Sequence, residues 1–284
     1  MEKFSNWRDK GTGIAPFIPL SAPKTPVTKY LVDPLLILVK FPFFIILYWF
    51  TLLAPKPAVK AIYIWIFRIS TDVLVEGLRK LNKAEILRSL PDKNTVVVSN
   101  FSTPLDVFVI YLSSKVSSLS AVKVIVPIDS ALYVLSAWQA AWLCFQPIGQ
   151  VCGTKLTSQN EKTLANKLVV VFAEGTSSNN RALLSFSSVL EPIFALKGFS
   201  YQTMLLLWYP NTIPVPIPVV GPIQYMAQLF TLSSRPYVKV KITPNPQGSL
   251  KASKLAYQDN GVNMVDLGVA EKKKFYEYYQ SQTK

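Results

Sequence analysis

Residues 95–106 read TVVVSNFSTPLD, and this stretch decides the expected fold. It begins with an uncharged β-branched run, which is typical of a strand that is buried on both faces. The run ends in a polar turn, and Thr103-Pro104-Leu105-Asp106 then has the pattern of a helix start. The pattern predicts Thr103 as the N-cap, Pro104 as the first helical residue and Asp106 as the third. A strand, a turn and a helix in succession are typical of α/β proteins.

The same alternation continues along the chain. Further buried strands are predicted at 122–127, 167–175, 203–209 and 237–242. Helix-compatible patterns lie between the first four strands, at 104–116, 130–144 and 158–166. We therefore expect an α/β fold with a largely parallel sheet flanked by helices.

Two late segments have patterns of their own. Residues 237–242, YVKVKI, alternate apolar and lysine side chains, which favours an edge strand with one wet face. Residues 210–223, PNTIPVPIPVVGPI, contain too many prolines for a central strand. We expect this proline-rich segment to be an ordered loop that touches lipid.

The amino-acid composition indicates where the protein acts and excludes several kinds of catalytic chemistry. Of the 284 residues, 50% are hydrophobic and only 16% are charged, which argues against disorder and for association with a membrane. The chain contains no histidine, so a Ser-His-Asp triad, histidine metal ligands and histidine as a general base are excluded. Cys144 and Cys152 have neither metal-binding spacing nor enough partners for a disulfide framework. We expect no metal and no bound cofactor.

The charge points to an anionic partner. The chain has 30 basic and 16 acidic residues, for a net charge of +14. Such a charge suits either nucleic acid or an anionic membrane surface. Because the basic residues are scattered beside apolar runs, we expect a membrane partner and no nucleic acid. A soluble protein with a basic surface, or a soluble nucleic-acid binder, is the alternative.

Two apolar stretches near the N-terminus predict the membrane contact. The first covers 30–55, but its uncharged part, 41–55, would rise about 22 Å as a helix, less than a hydrocarbon core of about 30 Å. A full span would require Lys40 to reach the interface and Pro42 to be accommodated. The second stretch covers 61–70. Because both flanks are basic, we expect a membrane-embedded helical pair in the cytosolic leaflet, with a single transmembrane helix as the alternative.

A second segment of chemical interest follows the strand predicted at 167–175. Residues 172–186 read FAEGTSSNNRALLSF, and their backbone N–H groups and hydroxyls suit a phosphate. Functional residues of α/β proteins lie at the carboxyl ends of strands. This segment and SNFSTPLD, at 99–106, are both expected there.

In this order, the two segments resemble the motifs of the lysophosphatidic acid acyltransferase family, which are membrane glycerolipid acyltransferases. That family has a strand ending in Asn-His-x-x-x-x-Asp, and later Phe-Pro-Glu-Gly-Thr-Arg-Ser followed by a Leu-Leu-x-Phe run. A helical pair in the leaflet and a late strand followed by proline, here VKVKITPN, are further common features. The resemblance covers residues 31–245.

The resemblance implies an acyl-CoA-dependent acyltransferase that converts lysophosphatidic acid, or 1-acyl-glycerol-3-phosphate, to phosphatidic acid in glycerolipid and triacylglycerol synthesis. Acyl-CoA, with oleoyl-CoA as the expected donor, is then a co-substrate. The implied location is the cytosolic face of the endoplasmic reticulum membrane and of lipid droplets. The alternative is a catalytically silent acyltransferase-like protein of lipid droplets that binds lipid or acyl-CoA.

The chain is expected to divide into four parts. Residues 1–29 form an irregular N-terminal segment without a cleavable signal, and 30–70 form the membrane anchor. Residues 71–250 form the glycerolipid acyltransferase-like domain. Residues 251–284 form a C-terminal tail, whose end is expected to be a solvated or surface-docked amphipathic helix without catalytic residues.

The resemblance also assigns roles to residues. Asp106 matches the family's aspartate, which orients the catalytic histidine, and it is the catalytic candidate here. The substrate-binding candidates are Glu174, Gly175, Thr176, Ser177 and Arg181. Three positions depart from the family: Phe101 replaces the histidine, Ala173 the proline and Ser177 the arginine. Arg181, with Lys155 as a weaker candidate, could supply the lost cation.

Each candidate also has a purely structural interpretation. Asp106 could serve only as a helix cap, and Arg181 could be an ordinary surface residue. Glu174 could pair with Arg181 or with Lys197. Phe101 is expected in the core or in the wall of an acyl channel.

The missing histidine leaves the general base open. A general base contributes about 10²–10⁴-fold to a rate, so its loss slows a reaction that positioning and electrostatics still support. Our hypothesis is that Asp106, with its pKa raised beside Phe101 and lipid, acts as the base directly or through a water.

Overall fold

In the computed structural model of the protein, the described residues are 4, 7–20, 25–157, 159, 161–232 and 234–283. Parts of several predictions lie outside the described residues, among them residue 233 of the acyltransferase-like domain and residue 284 of the C-terminal tail. In the irregular N-terminal segment, the residues outside are 1–3, 5–6 and 21–24. In the helix expected at 158–166 they are residues 158 and 160.

Strands and helices alternate through the described chain. The strands are β1 (Ser70–Val75), β2 (Thr95–Ser99), β3 (Val122–Ile128), β4 (Ala131–Ser136), β5 (Thr154–Lys155), β6 (Leu168–Phe172), β7 (Ser200–Tyr209) and β8 (Tyr237–Pro244). The α-helices are α1 (Asp33–Phe50), α2 (Pro55–Ala61), α3 (Lys83–Ser89), α4 (Asp106–Leu112), α5 (Ala137–Trp142), α6 (Pro222–Phe230), α7 (Leu250–Asp259) and α8 (Val269–Thr283). The expected α/β class is confirmed.

The eight strands form one mixed sheet in the order β1-β8-β7-β2-β6-β3-β4-β5. Its centre is parallel, because β2 pairs with β6 and β7, and β6 pairs with β3, in the same direction. β4, β5 and β8 join by antiparallel pairing. The prediction of a largely parallel sheet is therefore correct for the centre and too simple for the flanks.

The expected helix at 130–144 is only partly present. β3 and β4 form a hairpin in which Ile128 pairs with Ala131, and Asp129 between them has a φ of 52°. Because so short a connection can only join antiparallel strands, residues 131–136 extend the sheet before α5 begins. The helix expected at 158–166 is also reduced, to the short 3₁₀ turn Glu161–Leu164 among the described residues.

β8 is an internal strand, so its prediction as an edge strand is wrong. It pairs with β7 on one side and with β1 on the other. Its valines and isoleucine are buried, whereas Lys239 and Lys241 are half-buried. The alternation of apolar and lysine side chains thus arises because one face of this inner strand is only partly covered. The edge on this side of the sheet is β1, which was not predicted from the sequence.

The central strands are buried on both faces. Val97, Val124 and Val170 pack into one hydrophobic cluster, whereas their neighbours Val96 and Val169 pack into a second. Adjacent strand residues point to opposite faces, so each face of these strands meets its own apolar cluster. This double burial explains the near-continuous valine runs.

One helical segment, Thr28–Phe50, is long and apolar enough to cross a membrane, among the described residues. It has 23 residues and a mean hydropathy of 2.1, and none of its most apolar window is buried in the protein. Lys40 donates a hydrogen bond of 2.7 Å to the carbonyl of Phe230, at the end of α6. This lysine therefore satisfies a helix-end carbonyl.

The expected helical pair is not present, because the second apolar stretch belongs to the domain core. Residues 61–70 continue α2 as a helical turn and then enter β1. Ile62, Tyr63 and Ile66 are buried, and Ile64 and Trp65 are the two large apolar residues of the stretch that remain exposed. The spacing of three and four residues puts the buried side chains on one face of the turn. Among the described residues, Thr28–Phe50 is the one long apolar helix that remains exposed.

The proline-rich segment is an ordered loop as far as residue 221, whereas its last two residues, Pro222 and Ile223, begin α6; its contact with lipid stays a prediction. Residues 210–221 connect β7 to α6, and Ile213, Val215 and Ile217 are buried. A third apolar cluster joins the N-terminal segment to the C-terminal helix, with Phe17 packed against Phe275 of α8. This contact brings α8 over the end of β6.

Candidate functional site

The two motif segments meet at one edge of the sheet. β2 and β6 are parallel neighbours, and Ser99 at the end of β2 is paired with Phe172 at the end of β6. We name residues 99–106 the first turn and residues 173–178 the second turn. Both lie at the carboxyl ends of central strands, where α/β proteins bind ligands.

Asp106 is completely buried at the first turn. Its carboxylate accepts hydrogen bonds from the backbone N–H groups of Ser102 (2.6 Å) and Thr103 (2.9 Å) and from Trp208 Nε1 (2.6 Å). The Ser102 and Thr103 hydroxyls donate as well, at 3.3 and 3.1 Å. Burial raises the pKa of Asp106 to about 6, although these hydrogen bonds act in the opposite direction. The carboxylate is thus held by the protein's own donors.

The capping box expected at Thr103 is not formed, because the regular helix begins at Asp106 and its N-cap, Leu105, makes no side-chain cap. Thr103 Oγ1 accepts from the backbone N–H of Leu105 at 2.9 Å, and Asp106 accepts from the backbone N–H of Thr103. A capping box would require the backbone N–H of Asp106 to donate to Thr103 Oγ1, and this N–H donates to the Thr103 carbonyl instead. Asp106 thus fixes the turn that precedes the helix, which is compatible with a purely structural role and with a role in catalysis.

Glu174 joins the two motif segments. Its Oε1 accepts from the backbone N–H of Phe101 at 2.9 Å, and its Oε2 accepts from the backbone N–H of Leu184 at 3.0 Å. These backbone donors take the place of the expected pairing with Arg181 or Lys197. Burial raises the pKa of Glu174 to about 8 against the effect of both N–H groups, and the nearby charge of Asp106 adds to the rise.

Gly175 allows the second turn to approach its neighbours closely. It has a φ of 69°, and a Cβ there would lie 2.4 Å from the carbonyl oxygen of Pro127 and 3.3 Å from Val269 Cγ2. A side chain at this position is therefore excluded by the backbone of Pro127 on one side and by Val269, at the start of α8, on the other. The glycine of the motif is explained by packing alone.

Thr176 and Ser177 are buried and face a lysine from α8. Lys272 Nζ donates to Thr176 Oγ1 at 2.6 Å, to the carbonyl of Ser177 at 2.8 Å and to Ser177 Oγ at 3.2 Å. Ser177 Oγ itself donates to the carbonyl of Val215 at 2.6 Å. The backbone N–H of Val215 donates to Ser102 at 2.8 Å, so the proline-rich loop bridges both turns.

The sequence interpretation, which expected no catalytic residue in the tail, did not single out Lys272. This lysine is only 2% exposed. Burial lowers the pKa of Lys272 to about 7, and the nearby Cys144 and Glu174 act in the opposite direction. A signal was available: Lys272 falls on the same helical stripe as Val269, Phe275 and Tyr276, at spacings of three and four residues. A lysine inside an apolar stripe indicates a buried cation.

Arg181 and Lys155 lie apart from the second turn's hydroxyls. Arg181 is exposed and lines a separate pocket of about 520 Å³ together with Arg8 and Asn179. Lys155 is exposed in β5, at the far edge of the sheet. The structure thus brings together Asp106, Glu174, Gly175, Thr176 and Ser177 but leaves these two cations elsewhere. The roles assigned to all of them remain predictions.

Phe101, which stands where the resemblance places a histidine, is a core residue. It is 1% exposed and stacks on Phe172, with ring centroids 4.4 Å apart. Its carbonyl accepts from the backbone N–H of Ser178 at 2.9 Å, a further link between the two turns. The side chain fills space and offers no group for proton transfer.

Two cavities lie beside the two turns and the proline-rich loop that bridges them. The smaller of the two is named the site cavity, and its volume is about 20 Å³. It is lined by residues that include Phe101, Thr176, Ser177 and Lys272, and also by residues 146–150. Such a volume holds about one water. The larger, which we name the apolar cleft, measures about 650 Å³ and is lined by residues that include Val215, Ile217, Tyr225 of α6 and Asp33 of α1.

Nothing in the described part of the chain suggests a metal centre, because no three His, Cys, Asp or Glu side chains come together there. Cys144 lies in the lining of the site cavity and is buried, whereas Cys152 is exposed. Burial raises the pKa of the Cys144 thiol far above its usual range, so it is a poor nucleophile. The polar chemistry of the site rests on carboxylates, hydroxyls and one amine.

Comparison with known proteins supports the expected family. Over 195 residues, 66% of this chain, it is 29% identical to lysophosphatidic acid:oleoyl-CoA acyltransferase 1 of Saccharomyces cerevisiae. Over 251 residues it is 26% identical to a Schizosaccharomyces pombe protein named as a candidate lysophosphatidic acid:oleoyl-CoA acyltransferase. The resemblance to lysophosphatidic acid acyltransferases is confirmed.

The extent of these matches differs between the relatives. The chain spans 61% of the length of the Saccharomyces cerevisiae protein and 77% of the length of the Schizosaccharomyces pombe protein. No family model matches the chain. No solved structure matches it either.

Proposed function

We propose that the protein is an acyl-CoA-dependent acyltransferase that converts lysophosphatidic acid to phosphatidic acid. One observation carries the proposal: the two motif turns meet at the sheet edge, and Glu174 and Val215 connect them through hydrogen bonds. The similarity to proteins named for this activity supports it. Oleoyl-CoA is the proposed donor.

The apolar cleft provides a site for an acyl chain. It begins at Val215, which contacts both turns, and it extends to Asp33 of α1. Its volume of about 650 Å³ is within the range of small-molecule sites. A lysolipid could enter from the bilayer with its chain in this cleft and its headgroup beside the second turn.

The proposed reaction joins the acceptor hydroxyl to the acyl carbonyl. The hydroxyl oxygen forms a bond to the thioester carbon, the carbon–sulfur bond breaks, and the hydroxyl proton passes through a base to the departing CoA thiolate. Asp106 remains the proposed base, since its pKa of about 6 suits proton transfer near neutral pH. To act, its carboxylate must exchange one of its present donors for the acceptor or a water.

We also propose a place for the reaction. The exposed apolar segment Thr28–Phe50 would hold the chain at the cytosolic leaflet of the endoplasmic reticulum or at a lipid droplet. The net charge of +14 favours an anionic surface, and phosphatidic acid formed there would feed phospholipid and triacylglycerol synthesis.

A second candidate is a catalytically silent protein that binds lysolipid or acyl-CoA at lipid droplets. The observation that favours it is the state of the two carboxylates, because Asp106 and Glu174 are buried and bonded to protein donors. Phe101 also offers no base. Binding without turnover would fit a site that has kept its shape and lost its proton acceptor.

Transfer of labelled oleate separates the two candidates. Purified full-length protein in micelles is incubated with labelled oleoyl-CoA and lysophosphatidic acid, beside the Asp106→Asn/Glu174→Gln double variant. We expect phosphatidic acid from the wild type and a loss of at least about 100-fold in the double variant.

A second variant keeps the test decisive if the double variant fails to fold. Thr176→Val/Ser177→Ala removes two hydroxyls of the site cavity, and its folding is checked by circular dichroism. Product formation that is equal in all three samples, or absent from the wild type while lysolipid still binds, would contradict the enzymatic proposal in favour of the silent protein.

A further inference from the structure

Lys272 is a buried ammonium group whose hydrogen bonds go to uncharged oxygens. Its three acceptors are Thr176 Oγ1 and the carbonyl and hydroxyl oxygens of Ser177. Within the residues that the structure describes, no carboxylate lies at salt-bridge distance from its Nζ. A buried charge without a counter-ion is costly, and it calls for an explanation beyond packing.

The position of Lys272 supplies such an explanation. Its side chain lines the site cavity together with Thr176 and Ser177. Thr176 Oγ1 accepts from the lysine, and none of the described hydrogen bonds uses the hydroxyl hydrogen of Thr176. An ammonium and a hydroxyl with a donor to spare thus face the same small space, which is the donor set that an anion requires.

We propose that Lys272 binds the phosphate monoester headgroup of the acceptor lysolipid. The inference rests on the proposed function for the identity of the lipid. Lys272 would supply from α8 the positive charge that Ser177 does not offer, whereas Arg181 lines a separate pocket. A phosphate would also raise the lowered pKa of Lys272 and restore its full charge.

The roof of the site cavity must move for this binding. The cavity holds about one water, and a phosphate is larger. Residues 146–150 form the roof, and Gly149 within it has a φ of 87°, which glycine adopts without strain. Entry of the headgroup therefore displaces this segment from Lys272, while α8 stays packed on Gly175.

The test compares acceptors that differ only in the headgroup. Binding of lysophosphatidic acid and of monooleoylglycerol to micelle-embedded full-length protein is measured without acyl-CoA, for the wild type, Lys272→Met and Lys272→Arg. Lys273→Met is the matched control, because it removes the same charge from an exposed position on the same helix. Glycerol 3-phosphate serves as a soluble competitor.

We expect Lys272→Met to weaken the binding of lysophosphatidic acid by about tenfold, the effect of one charge-assisted hydrogen bond, and to leave monooleoylglycerol unchanged. Lys272→Arg should retain part of the preference, and Lys273→Met all of it. Glycerol 3-phosphate should compete with the lysolipid in the wild type and less in Lys272→Met.

Equal weakening of both lipids by Lys272→Met would show a merely structural role and overturn the proposal. A second result would also overturn the proposal: glycerol 3-phosphate competes, but the wild type binds both lipids equally well. That result would indicate a site for free phosphate. Because no acyl donor is present, the headgroup preference can be found even if acyl transfer fails, and the two proposals are tested separately.

Discussion

The two turns at the sheet edge differ in what their polar groups face. In the first turn, Asp106 is closed in by donors from Ser102, Thr103 and Trp208. In the second turn, Thr176 lines the site cavity, where Lys272 forms no salt bridge among the described residues, although Glu174 lies near enough to oppose the lowering of its pKa by burial. The carboxylate of the first turn is therefore held by several donors, whereas the hydroxyls of the second turn face a lysine of α8 that has no salt-bridge partner among the described residues. Of the two turns, the second is therefore the one whose surroundings suit an anion.

The largest expected effect concerns the close packing of the second turn. Gly175→Ala should lower the free energy of unfolding by about 3–5 kcal/mol, because the new Cβ needs a positive φ and meets the carbonyl of Pro127. Gly198→Ala is the matched control, since Gly198 has a φ of 81° with open space around it. Chemical unfolding followed by tryptophan fluorescence measures both. Equal losses would show that backbone conformation, rather than the contact with Pro127, fixes the turn.

The next effect concerns the first turn. Asp106→Asn should lower the free energy of unfolding by about 3 kcal/mol, because an amide nitrogen would face N–H donors that the carboxylate now accepts. Asp259→Asn, at an exposed position, should change it by less than about 0.5 kcal/mol. The same samples test the proposed base: acylation per folded molecule that is unchanged in Asp106→Asn would exclude Asp106 from proton transfer.

A comparable effect, spread over several pH units, should appear as a dependence of stability on pH. The pKa of Glu174 is raised from 4.5 to about 8 in the folded protein, so the folded state holds this proton to higher pH than the unfolded chain. The wild type should therefore lose stability relative to Glu174→Gln as the pH rises from 4.5 to 8, by about 2–4 kcal/mol in total. Unfolding of both proteins at several pH values gives the difference. A difference that grows in favour of the wild type would contradict the raised pKa.

The sequence was most informative where a segment had a single stable placement. The valine runs of β2 and β6 could only be buried strands, and the proline-rich segment could only be a loop. Residues 131–142 were ambiguous, because the apolar pattern of ALYVLSAWQAAW fits a strand as well as a helix. The turn at Asp129 decided the outcome, and its geometry is not visible in an apolar pattern.

The candidate site was predictable in its parts and not in its connections. The motifs identified Asp106 and Glu174, but the backbone donors that hold them depend on how β2 and β6 pair. The contact between Thr176 and Lys272 joins residues 96 positions apart, and no local pattern reports such a pairing. Likewise, residues 61–70 have the composition of a membrane segment, and only their packing shows that they belong to the core.

The central difference between the turns can be tested by removing one hydroxyl from each. Ser102→Ala acts in the first turn and Thr176→Val in the second, and both side chains are buried. The dissociation constant for lysophosphatidic acid is measured for each variant in micelles, with folding checked by circular dichroism. We predict that Thr176→Val weakens binding about fivefold to tenfold, whereas Ser102→Ala changes it less than about twofold. Equal weakening, or a larger effect of Ser102→Ala, would contradict the account.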